Sequence, residues 1–500
     1  MGAGVARITH RETIGGDTLP YMASISALEV RTGPAEAELR VFAGSGADGG
    51  LSVIALESGG PARMLDQRGA GPEAGTAGLA GLGVATVGGV ETVIPAGRAD
   101  DRIAFHPLTE AGSFAPVQGF AGADLPGGLA GLAVLPSGDG ARIYHTDRNG
   151  DGIGGLELTP DMAPRDLGMT DATDVTTLAS GRIDGHDFVF AASGSRNAVT
   201  SYRVWGSGEL SAADTVSPED GLYVAAPAAL DVAVSGGITY LVLAATESQS
   251  LSVVQVVPWG GLSVTDHLID SGGTRFGAPT ALDTIKIGHR VLVAAGGGDD
   301  GVTLFELSPD GRLHFLTQTV DTAETALQNV SAIALAPAGP DPFDGLELLA
   351  GSATEPGISR FHVDLEEFGP LRRGTSERDW LNGIWADDLI TGFGGDDVIR
   401  GHVGDDRMID GPGMDLLFGG RGEDVFAMTP DRDLDVIRDF MRQDDRIDLS
   451  AYPRLHGMDQ LNIVDRSYGV SVSYAGDMLR VEPKWGRLEA DMLTADNFIF

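Results

Sequence analysis

Between Gly383 and Ala427 the sequence repeats every nine residues. The segment divides without a gap into five nonapeptides, GIWADDLIT, GFGGDDVIR, GHVGDDRMI, DGPGMDLLF and GGRGEDVFA. Aspartate holds the sixth place every time, at Asp388, Asp397, Asp406, Asp415 and Asp424. The eighth place is always apolar, at Ile390, Ile399, Met408, Leu417 and Phe426. The fourth is glycine at Gly395, Gly404, Gly413 and Gly422, with Ala386 the departure. Self-similarity at a fixed short period marks a repeat architecture. Six residues make a glycine-rich turn and three make a short strand, so two nonapeptides complete one coil and repeats i and i+2 stack. Asp388, Asp406 and Asp424 then form one column, and Asp397 and Asp415 the other. The apolar eighth residues fill a thin core.

Stacked strands sit about 4.8 Å apart. Two bare carboxylates at that distance repel by about 1 kcal/mol in water and about 3–4 kcal/mol at an effective dielectric of 20. A core of single Ile, Leu and Phe side chains does not easily offset several such pairs. A hard divalent cation between the turns reverses the sign. Calcium accepts several oxygens at about 2.3–2.6 Å in flexible geometry, including carbonyls that glycine turns can aim, whereas magnesium demands a small octahedron. The spacing predicts full calcium sites at 388/406, 406/424 and 397/415, with Asp387, Asp396 and Asp405 as secondary candidates. The alternative is an acidic, glycine-rich solvated loop.

The nonapeptides match G-G-x-G-x-D-x-U-x and resemble the RTX (hemolysin-type) calcium-binding repeat. Downstream, Asp435-Val-Ile-Arg-Asp-Phe440, Asp445-Arg-Ile-Asp-Leu-Ser450 and the tail Leu493 to Phe500 are similar to the segments that follow the repeats in serralysin-type secreted proteins. The resemblance covers about residues 380–500. It implies a bacterial protein secreted through a type I ABC transporter, with an uncleaved C-terminal signal and repeats that fold on meeting extracellular calcium. Metal binding coupled to folding makes such a switch physically possible. The N-terminus has no basic segment followed by an apolar one, so no cleavable signal peptide is expected, and cysteine is absent. Both agree with that route.

Residues 22–365 read differently, as short alternating runs broken by Gly, Pro, Asp and Asn. Tight turns recur at Glu57-Ser-Gly-Gly60, Thr109-Glu-Ala-Gly112, Thr159-Pro-Asp-Met162, Trp205-Gly-Ser-Gly208, Pro258-Trp-Gly-Gly261 and Ser308-Pro-Asp-Gly311. Their starts lie 52, 50, 46, 53 and 50 residues apart. Four strands in about 50 residues is the spacing of a β-propeller blade. First strands near Ala23, Gly78, Leu129, Val175, Leu230, Ala281 and Val330 predict seven blades. The seventh lacks a good fourth strand. Residues 6–12 resemble 313–319, so the N-terminal strand is expected to close the ring and leave no free edge. A two-sheet sandwich array is the alternative. The whole chain is thus expected to be all-β, with a seven-bladed propeller at 1–365, a linker at 366–379, a parallel β-roll at 380–450 and a C-terminal cap carrying the secretion signal at 451–500.

Charge narrows the function. The chain carries 72 acidic against 34 basic residues, a net charge of −38, which repels nucleic acid and attracts cations. No apolar run reaches the roughly 20 residues of a membrane span. H-E-x-x-H, G-x-S-x-G, P-loop and cysteine motifs are absent. The turns Leu135 to Tyr144 and Ser308 to Arg312 resemble those of seven-bladed lactonase-like propellers, which implies little about a substrate. Asp147, Asn149 and Asp151 match half of an EF-hand-like loop, D-x-N-x-D-G, but Leu158 stands where a carboxylate is expected. A bare calcium loop and an ordinary polar hairpin both fit. The propeller is read as a binding or adhesion module for an extracellular ligand. A propeller hydrolase (lactonase- or esterase-like) and a structural surface or matrix protein that assembles with calcium are the rivals.

Overall fold

The computed structural model describes the chain except residues 1–5, 17–18, 34–37, 58, 71–73, 99–102, 122–128, 148–150, 340, 342–343 and 366–367. It divides into two compact units, one of residues 7–287 and 291–364, the other centred on 365–500.

The first unit is a seven-bladed β-propeller. Six blades are four-stranded antiparallel sheets with strands in chain order, running from Ile25–Thr32 at the start of blade 1 to Leu313–Val320 at the end of blade 6. Blade 7 takes Val330–Pro337, Leu346–Ser352 and Ile358–Asp364 from the far end of the propeller, and Arg7–Ile14 as its outer strand. The first strands pack side by side around the ring, and Val330–Pro337 meets Ile25–Thr32. Middle strands lie between neighbouring blades, which explains unbroken apolar runs such as Leu241 to Ala245, all without solvent exposure.

Short polar side chains tie one blade to the next. Ser26 Oγ donates to Leu79 O at 2.8 Å, Thr176 Oγ1 to Pro227 O at 2.8 Å and Thr280 Oγ1 to Val330 O at 2.6 Å. At the closure Ser331 Oγ donates to Ile25 O at 2.5 Å. A second tie starts from the outer strands. Asp66, Asp214 and Asp266 each accept a backbone N–H of the following blade, from Phe114, Leu262 and Leu313, at 2.8–2.9 Å. Glu12 on the N-terminal strand does the same for Ala62 of blade 1 at 2.9 Å. The strand that closes the ring therefore carries the same clasp as the strands it imitates.

The second unit is a parallel β-solenoid. One sheet contains Phe368–Arg373, Asp387–Thr391, Arg407–Ile409, Val425–Ala427, Arg446–Asp448 and Phe498–Ile499. The other begins Trp380–Asn382, Val398–Val403, Leu416–Arg421, Leu434–Phe440, and ends in the antiparallel hairpin of Gly469–Tyr474 and Asp477–Pro483 with Asn462–Arg466 beyond it. Register is 18 residues per coil, as in Ile390↔Met408 and Ile399↔Leu417. Ile390, Ile399, Met408, Leu417 and Phe426 are fully buried, and Ile437, Ile447 and Val481 continue their line.

One expectation is corrected. Within the segment read as a linker, 366–379, Phe368–Arg373 is a strand that pairs in parallel with Asp387–Thr391. Its Gly, Pro and charged residues hid it, because a three-to-six-residue solenoid strand has only one inward apolar position to show.

Candidate metal centre

Each coil places its sixth-position aspartate directly over the next. The backbone N–H of Asp388 donates to Asp406 Oδ1 at 2.8 Å, and that of Asp406 to Asp424 Oδ1 at 3.1 Å. In the other column Asp397 N–H donates to Asp415 Oδ1 at 2.7 Å. The columns run further than the nonapeptides. Asp379 N–H donates to Asp397 at 2.7 Å, Asp415 N–H to Asp435 at 3.0 Å and Asp424 N–H to Asp445 at 3.2 Å. The sequence reading missed Asp379, Asp435 and Asp445 as members. Asp379 was findable, since it precedes Asp397 by 18 residues. Asp435 and Asp445 follow their partners by 20 and 21, so short insertions break the period.

One oxygen of each carboxylate is used by this ladder or by its own turn. The other is not. Asp388 Oδ1 and the Oδ2 atoms of Asp397, Asp406, Asp415 and Asp424 are buried without a hydrogen-bond partner, and the five residues are at most 2% exposed. Buried polar atoms are almost always satisfied, so a repeated orphan at one position asks for a missing partner such as an ion. Burial pushes the carboxyls up: Asp397 to about 6, Asp415 and Asp445 to about 7, Asp406 and Asp435 to about 8, and Asp424 to about 9. Neighbouring carboxylates push the same way. Hard, desolvated carboxyl oxygens suit calcium-class cations, which displace the proton, rather than soft metals.

The fifth-position carboxylates also bond from coil to coil, Asp387, Asp405 and Glu423 in one column and Asp396 in the other. Asp387 Oδ1 accepts Asp405 N–H at 2.5 Å, Asp405 Oδ1 accepts Glu423 N–H at 2.7 Å, and Asp396 Oδ1 accepts Met414 N–H at 3.1 Å. Of the candidate cation loop at Asp147, Asn149 and Asp151, Asn149 and the Asp147 side chain lie outside the described residues, and Asp151 is exposed.

Gly395, Gly404, Gly413 and Gly422 have φ of +106°, +132°, +140° and +137°. A Cβ on Gly422 would sit 2.0 Å from Gly404 O, one coil below. Backbone therefore passes where any side chain would stand. Gly422→Ala is expected to cost about 3 kcal/mol or more, from backbone strain plus overlap. Hydrogen exchange should show early opening of residues 404–427 in that variant, with the propeller unchanged.

In the propeller, polar side chains of the innermost strands are used as ties. Asp231 Oδ2 accepts from Thr284 N–H at 2.9 Å and Thr284 Oγ1 at 2.7 Å, and Asp283 Oδ2 accepts Leu335 N–H at 2.6 Å. Arg31 pairs with Glu29 at 2.9 Å and donates to Val84 O at 3.0 Å. Burial raises the carboxyl pKa of Glu29, Asp231 and Asp283. A cavity of about 640 Å³ opens beside blades 1 to 4, lined by Arg31, Glu91, Ser180, Arg182 and Asp187 among others, with no histidine among its described lining residues.

No protein-family model matches this chain, and no curated protein matches it in sequence. Solved structures resemble it in fold. A putative 6-phosphogluconolactonase from Bacteroides uniformis is 18% identical, over 59% of this chain and 85% of that one, with a TM-score of 0.46. A protein from Lactobacillus plantarum is 16% identical, over 60% and 86%, with a TM-score of 0.47. A periplasmic gluconolactonase from Pseudomonas aeruginosa is 17% identical, over 60% and 86%, also at 0.47.

Proposed function

We propose that the C-terminal solenoid is a calcium-binding β-roll of the RTX type, and that the chain is a secreted bacterial protein whose roll folds after type I export. The observation that carries the reading is the pair of stacked columns with one orphaned, buried carboxylate oxygen per turn. Asp388, Asp397, Asp406, Asp415 and Asp424 would hold the ions, joined by Asp379, Asp435 and Asp445. Bound calcium would supply the missing partner for each orphan and cancel the repulsion along each column. The glycine turns contribute by letting adjacent coils approach closely. Low calcium inside the cell would keep the roll open for export, and the extracellular level would close it.

The propeller serves in this reading as the binding or adhesion module. A second reading, a propeller hydrolase, has one observation in its favour: the 640 Å³ cavity with Arg31 and Arg182 is of small-molecule size.

Isothermal titration of the full-length protein, stripped with chelator, tests the calcium reading. Uptake of at least three calcium ions per chain is expected, with little response to magnesium and with Asp406→Ala losing ions from its column. A flat calcium isotherm would overturn it.

A further inference from the structure

Four of the five nonapeptides begin with glycine, and the reason is steric. A Cβ at Gly383, Gly392, Gly401 or Gly419 would lie 2.1–2.5 Å from Oδ2 of the aspartate five residues on. At Gly392, Gly401 and Gly419 that oxygen is the orphaned one, and glycine keeps room beside it; at Gly383 it is the oxygen of Asp388 that accepts Ile384 N–H. The fourth repeat breaks the rule and puts Asp410 in that place.

Asp410 is fully buried, Asp415 is 2% exposed and Asp435 is 4% exposed. One carboxylate oxygen from each lies within 4.8 Å of the others. Asp410 Oδ1 accepts N–H from Gly411 at 2.6 Å and Thr429 at 2.9 Å. Asp410 Oδ2 and Asp415 Oδ2 have no partner. Among the described residues, none of the three forms an ion pair with Lys, Arg or His. A third carboxylate has therefore entered the space the other repeats leave open, and two of the three residues gathered there carry a buried oxygen without a hydrogen-bond partner. Once ionised, three buried carboxylates this close repel one another, and a cation among them reverses the sign.

We propose that Asp410, Asp415 and Asp435 form a three-carboxylate site for a hard cation, calcium or a lanthanide, which binds more tightly than the regular turns of the roll. The inference rests on the calcium reading and deepens it. Carboxylate count is a main lever on calcium affinity. The regular turns offer two stacked aspartates each, and this one offers three. It would fill first and pin the lower end of the repeat array to the segment that follows it.

The test is calcium titration of full-length protein against a chromophoric chelator, repeated with terbium luminescence. Variants are Asp410→Asn, Asp410→Gly and Asp406→Asn. The glycine variant restores the residue that the other repeats carry, so its loss of binding does not come from a misfit. Wild type should show one class of site at least tenfold tighter than the rest. Asp410→Asn and Asp410→Gly should abolish that class and keep the weaker ones, while Asp406→Asn should do the reverse. If both Asp410 variants keep the tightest class while Asp406→Asn loses weaker sites, this inference fails and the calcium reading stands. If wild type binds no calcium, both fail.

Discussion

Chelating calcium should unfold the roll and leave the propeller standing. A site that binds only the folded state adds about 2.7 kcal/mol when calcium is at 100 times its Kd. Three such sites contribute about 8 kcal/mol, comparable to the whole stability of an ordinary domain. Within the repeats the core is one line of side chains from Ile390 to Phe426, which has little else to oppose the stacked carboxylates, although the same cluster widens beyond them around Phe440, Tyr452 and Val470. Hydrogen exchange followed by mass spectrometry on the full chain would read the effect by segment. Residues 383–448 should lose protection in chelator and regain it with calcium but not magnesium, while the middle strands of the propeller stay protected. Protection that survives chelator would sink the idea of a calcium-dependent fold.

The pH dependence of the calcium-free form has a definite sign. Its carboxyls are raised in the folded roll, Asp406 to about 8 and Asp424 to about 9. The folded state then holds protons that the unfolded chain has released. Stability from this source is full below the ordinary carboxyl range near pH 4 and is lost as pH rises through 6 to 9. In chelator, protection should therefore be greater at pH 5 than at pH 8, the reverse of most acidic proteins.

Arg360→Met should be the most damaging single change in the propeller. Arg360 is 2% exposed and sits where the ring closes. Its Nε donates to Glu347 Oε2 at 2.8 Å, and Nη1 to Glu12 Oε1 at 2.9 Å and Gly60 O at 2.7 Å. One guanidinium thus joins the inner part of blade 7, the N-terminal strand and blade 1. Removing it strands the buried Glu347, whose other neighbour, His362, is 4.0 Å away. Breaking a buried pair from one side costs about 3–5 kcal/mol. Denaturant unfolding should register that loss, and residues 7–14 should exchange first. Arg360→Met with Glu347→Leu should recover much of it, because the stranded charge is then gone. Little loss in the single variant would mean the closure does not depend on this clasp.

The two periodicities were legible because each is a local pattern. Nine residues per half-coil and about fifty per blade leave turns and apolar positions at fixed offsets, so the seven blades and the solenoid could be counted along the chain. The five sixth-position aspartates were legible for the same reason. Phe368–Arg373 was not, since a short solenoid strand without the glycine turn carries no offset to detect. Asp435 and Asp445 were hidden by insertions of two and three residues beyond the 18-residue coil.

Composition and period by themselves determined that this chain must be all-β, acidic and repetitive, with carboxylates stacked in register. Tertiary structure alone decided which carboxylate oxygens are left without partners, that Glu12 clasps the next blade, and that Asp410 meets Asp415 and Asp435. Those facts depend on which atoms approach across tens or hundreds of residues. Period sets the register of a coil, but burial and the direction of each side chain are set only when the coils and blades have packed.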